Sequence, residues 1–319
     1  MQQPDRLTHF PVSFFSTVMG TAGLVIAWEQ ALQALGLPAD ALRWAVLVVA
    51  LQLTVIGGIY ALKVLRRPEA VREELRNPVK LNFFATMSIS LVLLAIASAR
   101  FWPGPAEGLW MAGTGLHLLF TLYVLNVWMH RSDFEPHHMN PAWFIPVVGN
   151  VLVPVAGARF GHIEISWFFF SIGMVFWGVL FAIIINRILF HQPLPQRLMP
   201  TLFILIAPPA VGFIAYVGLT GGVDPIARVL LGIALFLTLL LLVQIPRFAR
   251  LRFFLSWWAY SFPLAAVTTA SFVMARVSGE TGYVWLAEGL LILTTAVIVL
   301  LLVMTVAEIR VKGICRPEE

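Results

Sequence analysis

The sequence predicts an all-α integral membrane protein in which ten transmembrane helices form five inner–outer helical hairpin repeats around a central pore. Its composition, the spacing of its charged residues and the positions of its prolines predict this fold. Of the 319 residues, 60% are hydrophobic and 12% are charged, whereas soluble globular domains have about 45–50% apolar and about 25% charged residues. One soluble domain of this length cannot bury so much apolar surface, so a water-soluble protein is excluded.

Charged residues divide the chain into stretches of the length that a bilayer requires. A helix needs about 20 apolar residues to cross a hydrocarbon core of about 30 Å. Ten stretches without Asp, Glu, Lys or Arg have about this length: 7–28, 44–62, 81–99, 108–130, 136–158, 165–186, 198–223, 229–246, 253–275 and 289–307. Little sequence remains for anything else, so residues 1–319 are predicted to form a single ten-helix transmembrane domain.

The distribution of basic residues predicts the orientation of these spans. Ten spans place both termini and four loops on one face of the membrane, and that face holds most of the 21 lysines and arginines. Basic loops stay in the cytoplasm, so both termini are predicted to be cytoplasmic. Because topology explains the net charge of +5, we expect no nucleic-acid partner. The basic loop 63–80 is instead expected to contact the anionic headgroups of membrane lipid.

Prolines distinguish two kinds of span. They lie in or at the start of every odd-numbered span: Pro11, Pro78, Pro146, Pro154, Pro208, Pro209 and Pro263. A proline inside a helix removes a backbone hydrogen bond and kinks the helix, and in lipid the freed carbonyl must find another donor or face a cavity. The odd spans are therefore predicted to be the inner helices. Their starts also share aromatic residues, which indicates five repeats, although aromatic residues cluster at membrane interfaces in any case.

The inner helices carry the candidate pore-lining residues, which are small or hold hydroxyl or amide groups. Those chosen are Ser16, Thr17, Thr86, Ser90 and Asn150, with Pro154, Pro208 and Pro263 as candidate kinks. Small residues in membrane helices also serve close helix packing, and that alternative stays open for each of them. Five kinked helices around an axis would enclose a pore.

The centres of the spans contain no Asp, Glu, Lys or Arg, and His117 is the one central histidine. Ion coupling and proton relays usually depend on such ionisable residues, and a haem would need paired histidines. We therefore expect neither an enzyme nor a cofactor nor a metal site. A pore without fixed charge can still pass anions, because hydroxyls and the amides of kinked helices present partial positive charge.

Four local motifs carry a resemblance to a known family: 11–20, Asn77-Pro78-Val79, Ala207-Pro208 and 258–263, which reads Trp-Ala-Tyr-Ser-Phe-Pro. With them the chain resembles the tellurite-resistance/dicarboxylate transporter family, whose TehA-like members are related to plant guard-cell slow-type anion channels and yeast malate and sulfite carriers. The resemblance implies a homotrimer of independent pores in a bacterial inner membrane. It also implies that Phe262 plugs each pore and that Ser16 and Val211 line it.

The position of Phe262 supports a gate on physical grounds as well. It lies about ten residues into the ninth span, hence about 15 Å deep and near the bilayer midplane. Pro263 disfavours the α conformation for the residue before it, so the helix is expected to bend at Phe262. A benzyl group at a narrow point would exclude hydrated ions. The alternative is ordinary packing.

The predicted function is a passive pathway for small anions such as chloride and nitrate, gated by a phenylalanine. Dicarboxylates, sulfite and tellurite are further candidate substrates. A proton-coupled mono- or dicarboxylate carrier that uses His117 or Glu288 is the main alternative, and a non-transport membrane subunit is the third.

Overall fold

The computed structural model describes residues 5–311 and 313–315 of the predicted domain, and these residues form helices without any strand. Short 3-10 helices precede or join several of the α-helices. The α-helices are α1 (Phe15–Ala34), α2 (Leu42–Arg66), α3 (Pro68–Arg76), α4 (Ala85–Ser98), α5 (Pro103–His130), α6 (Phe144–Val148), α7 (Val153–Gly157), α8 (Ile163–Phe190), α9 (Ala207–Thr220), α10 (Pro225–Leu242), α11 (Ile245–Phe248), α12 (Ser261–Ser278) and α13 (Thr281–Arg310).

Nine helical stretches of the described chain are long and apolar enough to cross a membrane, which confirms an all-α membrane protein. The fifth predicted span, 136–158, differs from the others. It contains the shorter helical stretch Pro141–Gly157, where α6 and α7 are separated by the 3-10 helix Gly149–Leu152. Pro146 and Pro154 lack the amide hydrogen that a continuous α-helix needs. The count of ten spans therefore stays a prediction.

Burial alternates along the chain. In four stretches, between 67% and 94% of the most apolar run of 18 residues is buried: Val12–Ala34, Lys80–Ser98, Met199–Thr220 and Leu255–Ser278. The broken stretch Pro141–Gly157 is also almost wholly buried. In the five other long helices, α2, α5, α8, α10 and α13, only 22% to 39% of the corresponding 18 residues is buried. These five helices expose apolar side chains, as lipid contact requires.

The five buried stretches also begin in the same way. Each opens with a 3-10 helix: Val12–Phe14, Lys80–Phe84, Pro141–Trp143, Met199–Ile206 and Leu255–Tyr260. Each then continues as an α-helix, whereas α2, α5, α8, α10 and α13 have no 3-10 start. Arrangement as five hairpin repeats stays a prediction, and this recurring conformation supports it.

The change from 3-10 to α accommodates the prolines at the starts of α9 and α12. In a 3-10 helix each carbonyl accepts a hydrogen bond from the amide three residues later, and in an α-helix from the amide four residues later. Where a 3-10 helix continues as an α-helix, one amide is therefore left over. The Ala207 amide still donates to the Ile204 carbonyl, in the 3-10 manner, and Pro208 and Pro209 follow it. Pro263 lies two residues after Ser261, whose amide donates to the Trp258 carbonyl in the 3-10 manner. A proline at such a position has no amide hydrogen that could be left without an acceptor.

Candidate functional site

A cavity of about 810 Å³ opens at one end of the helix assembly. All five buried stretches border it, through Ser16, Thr86, Val148, Val211 and Phe262 among others. Its mouth is formed by the segment before α1, by connections between helices and by the segment after α13: Thr8, Asn77, Pro195, Phe253 and Gly313. The two ends of the described chain therefore lie at the same end of the molecule.

Three apolar residues border both this cavity and a neighbouring one. A second, much smaller cavity of about 30 Å³ lies beyond it, bordered by Gly23 and Ala265 among others. Leu152, Val211 and Phe262 border both cavities, so these three side chains separate them. We call them the apolar ring. None of the three side chains can hydrogen-bond to an ion.

Phe262 is the residue of α12 that borders both cavities. It is half-buried, whereas its neighbours Ser261 and Pro263 are buried. On the facing helix, a Cβ added to Gly23 would lie 3.3 Å from Cδ2 of Phe262 and 3.0 Å from Cβ of Ala265. The missing side chain of Gly23 therefore leaves the volume that the phenylalanine ring needs.

The bend that the sequence predicts at Phe262 takes a different form in the structure. The 3-10 helix Leu255–Tyr260 ends immediately before α12, which begins at Ser261. Pro263 thus lies in the first turn of α12, where a missing amide hydrogen breaks no α-helical hydrogen bond. The backbone changes helix type at this point instead of kinking within a continuous α-helix.

Six of the predicted site residues border the larger cavity, namely Ser16, Thr86, Pro208, Val211, Phe262 and Pro263. Four border neither cavity, namely Thr17, Ser90, Asn150 and Pro154.

Three of these four residues contact neighbouring segments. Thr17 accepts a hydrogen bond from Nε2 of Gln52 on α2 at 2.8 Å, and Ser90 donates to the Phe15 carbonyl at 3.1 Å. Asn150 donates to Oγ1 of Thr121 on α5 at 3.0 Å. Pro154 is buried within α7.

Two of the hydroxyls that border the cavity already have acceptors. Ser16 donates to the Ser13 carbonyl at 2.5 Å, and Thr86 donates to the Phe83 carbonyl at 2.5 Å. Each hydroxyl has one hydrogen, so neither donates to an ion in this arrangement. These two hydroxyls therefore offer an anion no free donor.

Leu152 is the member of the apolar ring that sequence reasoning missed. As an aliphatic residue it carries no chemical signal. The similar starts of the inner stretches nevertheless contain a signal. Leu152 lies eleven residues after Pro141, and Val211 lies eleven residues after Pro200. Aligning the starts of the two stretches would have identified it.

The two residues of the proton-coupled alternative lie outside both cavities. His117 is buried, and its Nδ1 is 2.9 Å from Oγ of Ser88, which joins α5 to α4. Glu288 is half-buried on α13, and neither residue borders either cavity. No group of three His, Cys, Asp or Glu side chains that could hold a metal ion occurs within the described chain.

Known sequences identify the family. Residues 9–306 match the sequence model of the family described as voltage-dependent anion channels. The chain belongs to this family. The match confirms the resemblance to TehA-like proteins and plant anion channels, and because the family is one of channels, it also confirms that the chain is not an enzyme.

The relatives include plant and bacterial proteins. S-type anion channel SLAH3 of Arabidopsis thaliana is 32% identical over 311 residues, which cover 94% of this chain and 48% of that protein. The guard cell S-type anion channel SLAC1 of the same plant is 26% identical over 95% of this chain and 56% of its own length. The tellurite resistance protein TehA homolog of Haemophilus influenzae is 29% identical over 82% of this chain and 80% of its own length. The chain thus spans about half the length of the plant channels that it matches.

Proposed function

We propose that this protein is a passive pathway for small anions such as chloride and nitrate. The observation that supports the proposal most is the cavity of about 810 Å³, which all five buried stretches border and which the apolar ring separates from the smaller cavity. Membership of an anion channel family makes anions the expected ions. Dicarboxylates, sulfite and tellurite are further candidate substrates, the last because one relative is named a tellurite resistance protein.

In this proposal Phe262 is the gate. A hydrophobic constriction blocks hydrated ions by excluding water from the narrow point, and the half-buried ring of Phe262 contributes to such a constriction. The wall on the cavity side carries two hydroxyls whose hydrogens are already donated. An anion that passes the ring meets no free donor from these two hydroxyls, so we expect weak binding and fast passage with little discrimination by size.

Reconstitution into liposomes tests the proposal. The purified protein should carry an anion current whose reversal potential follows the chloride gradient, and nitrate should replace chloride. Malate, sulfite and tellurite are then tested under the same gradients to define the substrate range. Saturable uptake that a pH gradient drives, without any anion current, would overturn the channel proposal in favour of a proton-coupled carrier.

The proposal includes a bacterial inner membrane as the location, with the cavity mouth and both termini in the cytoplasm. The positive-inside rule supports this orientation, because most lysines and arginines lie on the face predicted to carry the termini. We also expect a homotrimer, on the resemblance to TehA-like proteins. Native mass measurement in detergent should give three times the chain mass of 35.4 kDa, and a dominant monomer or dimer would contradict the trimer.

A further inference from the structure

A buried ion pair lies directly behind the wall of the cavity mouth. Nζ of Lys63 on α2 is 3.0 Å from Oε2 of Glu74 on α3, and it also donates to the Phe10 carbonyl at 2.9 Å. The hydroxyl of Tyr60 donates to the same carboxylate oxygen at 2.7 Å. Lys63 is only 1% exposed. Removing either charge would leave the other buried without its partner, which is costly.

Glu74 also borders the cavity, unlike Lys63. Among the residues that the structure describes, the carboxylates that border this cavity are Glu73, Glu74 and Glu308, and the permanent cations are Lys80 and Arg197. Among these described residues, carboxylates outnumber permanent cations by one. Lys63, paired with Glu74 at 3.0 Å, neutralises one of these carboxylates.

We infer that Lys63 is a selectivity-determining residue: it neutralises Glu74 and so keeps the mouth accessible to anions. The inference rests on the proposed function. An uncompensated unit charge about 7 Å from the path of an ion lowers the local anion concentration about threefold even at the dielectric constant of water, and more where the dielectric constant is lower. Salt screens the effect, so it is largest at low ionic strength.

The alternative is a purely structural role, in which the ion pair only holds α2 and α3 together. Two single variants separate the roles, because both break the same ion pair but leave opposite charges. K63M leaves the carboxylate, and E74Q leaves the ammonium group. A structural role predicts that both variants lose current, whereas an electrostatic role predicts changes of opposite sign.

The experiment measures chloride current and the chloride-to-sodium permeability ratio in liposomes at low salt. We expect K63M to lower both, the current by about threefold or more, and E74Q to raise the permeability ratio. The double variant K63M/E74Q should return both quantities close to those of the parent. If K63M misfolds, the comparison of E74Q with the double variant provides a second test, and here the loss of the Lys63 charge should lower the permeability ratio.

Arg67 offers a matched control. It forms an ion pair with Asp5 at 2.6 Å, and both side chains are more than 40% exposed. Neither residue borders the cavity, so R67M should leave the permeability ratio unchanged. A conducting parent whose ratio does not differ between E74Q and K63M/E74Q overturns the inference alone. A parent without any anion current overturns the proposed function, and the inference with it.

Discussion

Replacing Phe262 by alanine is expected to raise the anion current of the reconstituted protein on the order of tenfold or more while the protein stays folded. The ring of Phe262 is one of the three side chains that separate the two cavities. Removing it widens the constriction, and water can then fill the narrow point that had excluded it. The measurement is the single-channel or liposome chloride current of F262A beside that of the parent.

Phe272 provides the matched control, because it lies on the same helix and permits the same substitution. It is 0% exposed and packs in a small apolar cluster with Ala27, Ala31, Ala287 and Leu291. F272A should therefore create a cavity that costs about 3–5 kcal/mol, lowering the yield and the melting temperature without raising the current. A folded F262A protein that conducts no better than the parent would contradict the gate.

Hydropathy and charge spacing predict most of this fold because a bilayer constrains the length and composition of every spanning helix. The fifth span shows the limit of this reasoning. A window average does not register that Pro146 and Pro154 interrupt the hydrogen bonds, so the stretch reads as one helix although α6 and α7 are separate. The prolines predict a kink in this span, and the structure shows two α-helices with a 3-10 helix between them.

The site was harder to predict than the fold, because composition does not determine how each helix is rotated about its axis. Ser16 and Thr17 are adjacent and chemically alike, yet Ser16 borders the cavity and Thr17 bonds to Gln52 on a neighbouring helix. Consecutive residues of an α-helix point about 100° apart. The rotation is set by packing against other helices, which the sequence specifies only through contacts between distant residues.

Lys63 shows a similar limit. The sequence places it in a basic loop that is expected to contact lipid headgroups, because α2 was predicted to end at residue 62. The structure extends α2 to Arg66 and folds α3 back so that Glu74 meets Lys63. A count of positive charges treats Lys63 and the exposed Arg67 alike. The burial of Lys63 and its ion pair with Glu74 distinguish it from Arg67, and both features depend on the tertiary fold.

The second large effect is expected at Gly20 of α1, where α1 and α12 approach closely. A Cβ at Gly20 would lie 2.3 Å from Oγ and 2.7 Å from Cβ of Ser261, and 3.0 Å from Cε3 of Trp258. The Cβ of Ser261 is fixed by its backbone, so rotation of a side chain cannot relieve the overlap. G20A should therefore force the two helices apart, which costs about 1–3 kcal/mol as overpacking does.

Thermal unfolding in detergent measures this effect, and Gly58 of α2 supplies the control. Gly58 has no atom within 4 Å of its added Cβ, so G58A should be neutral or gain up to about 1 kcal/mol from the higher helix propensity of alanine. G20A should melt several degrees lower than G58A. Because Ser261 directly precedes Phe262, the displacement of α12 should also move the ring and raise the resting chloride current. If the G20A protein is as stable as the G58A protein, α1 and α12 have space between them for an added methyl group. The close approach of the two helices would then no longer explain how Phe262 is held in the constriction.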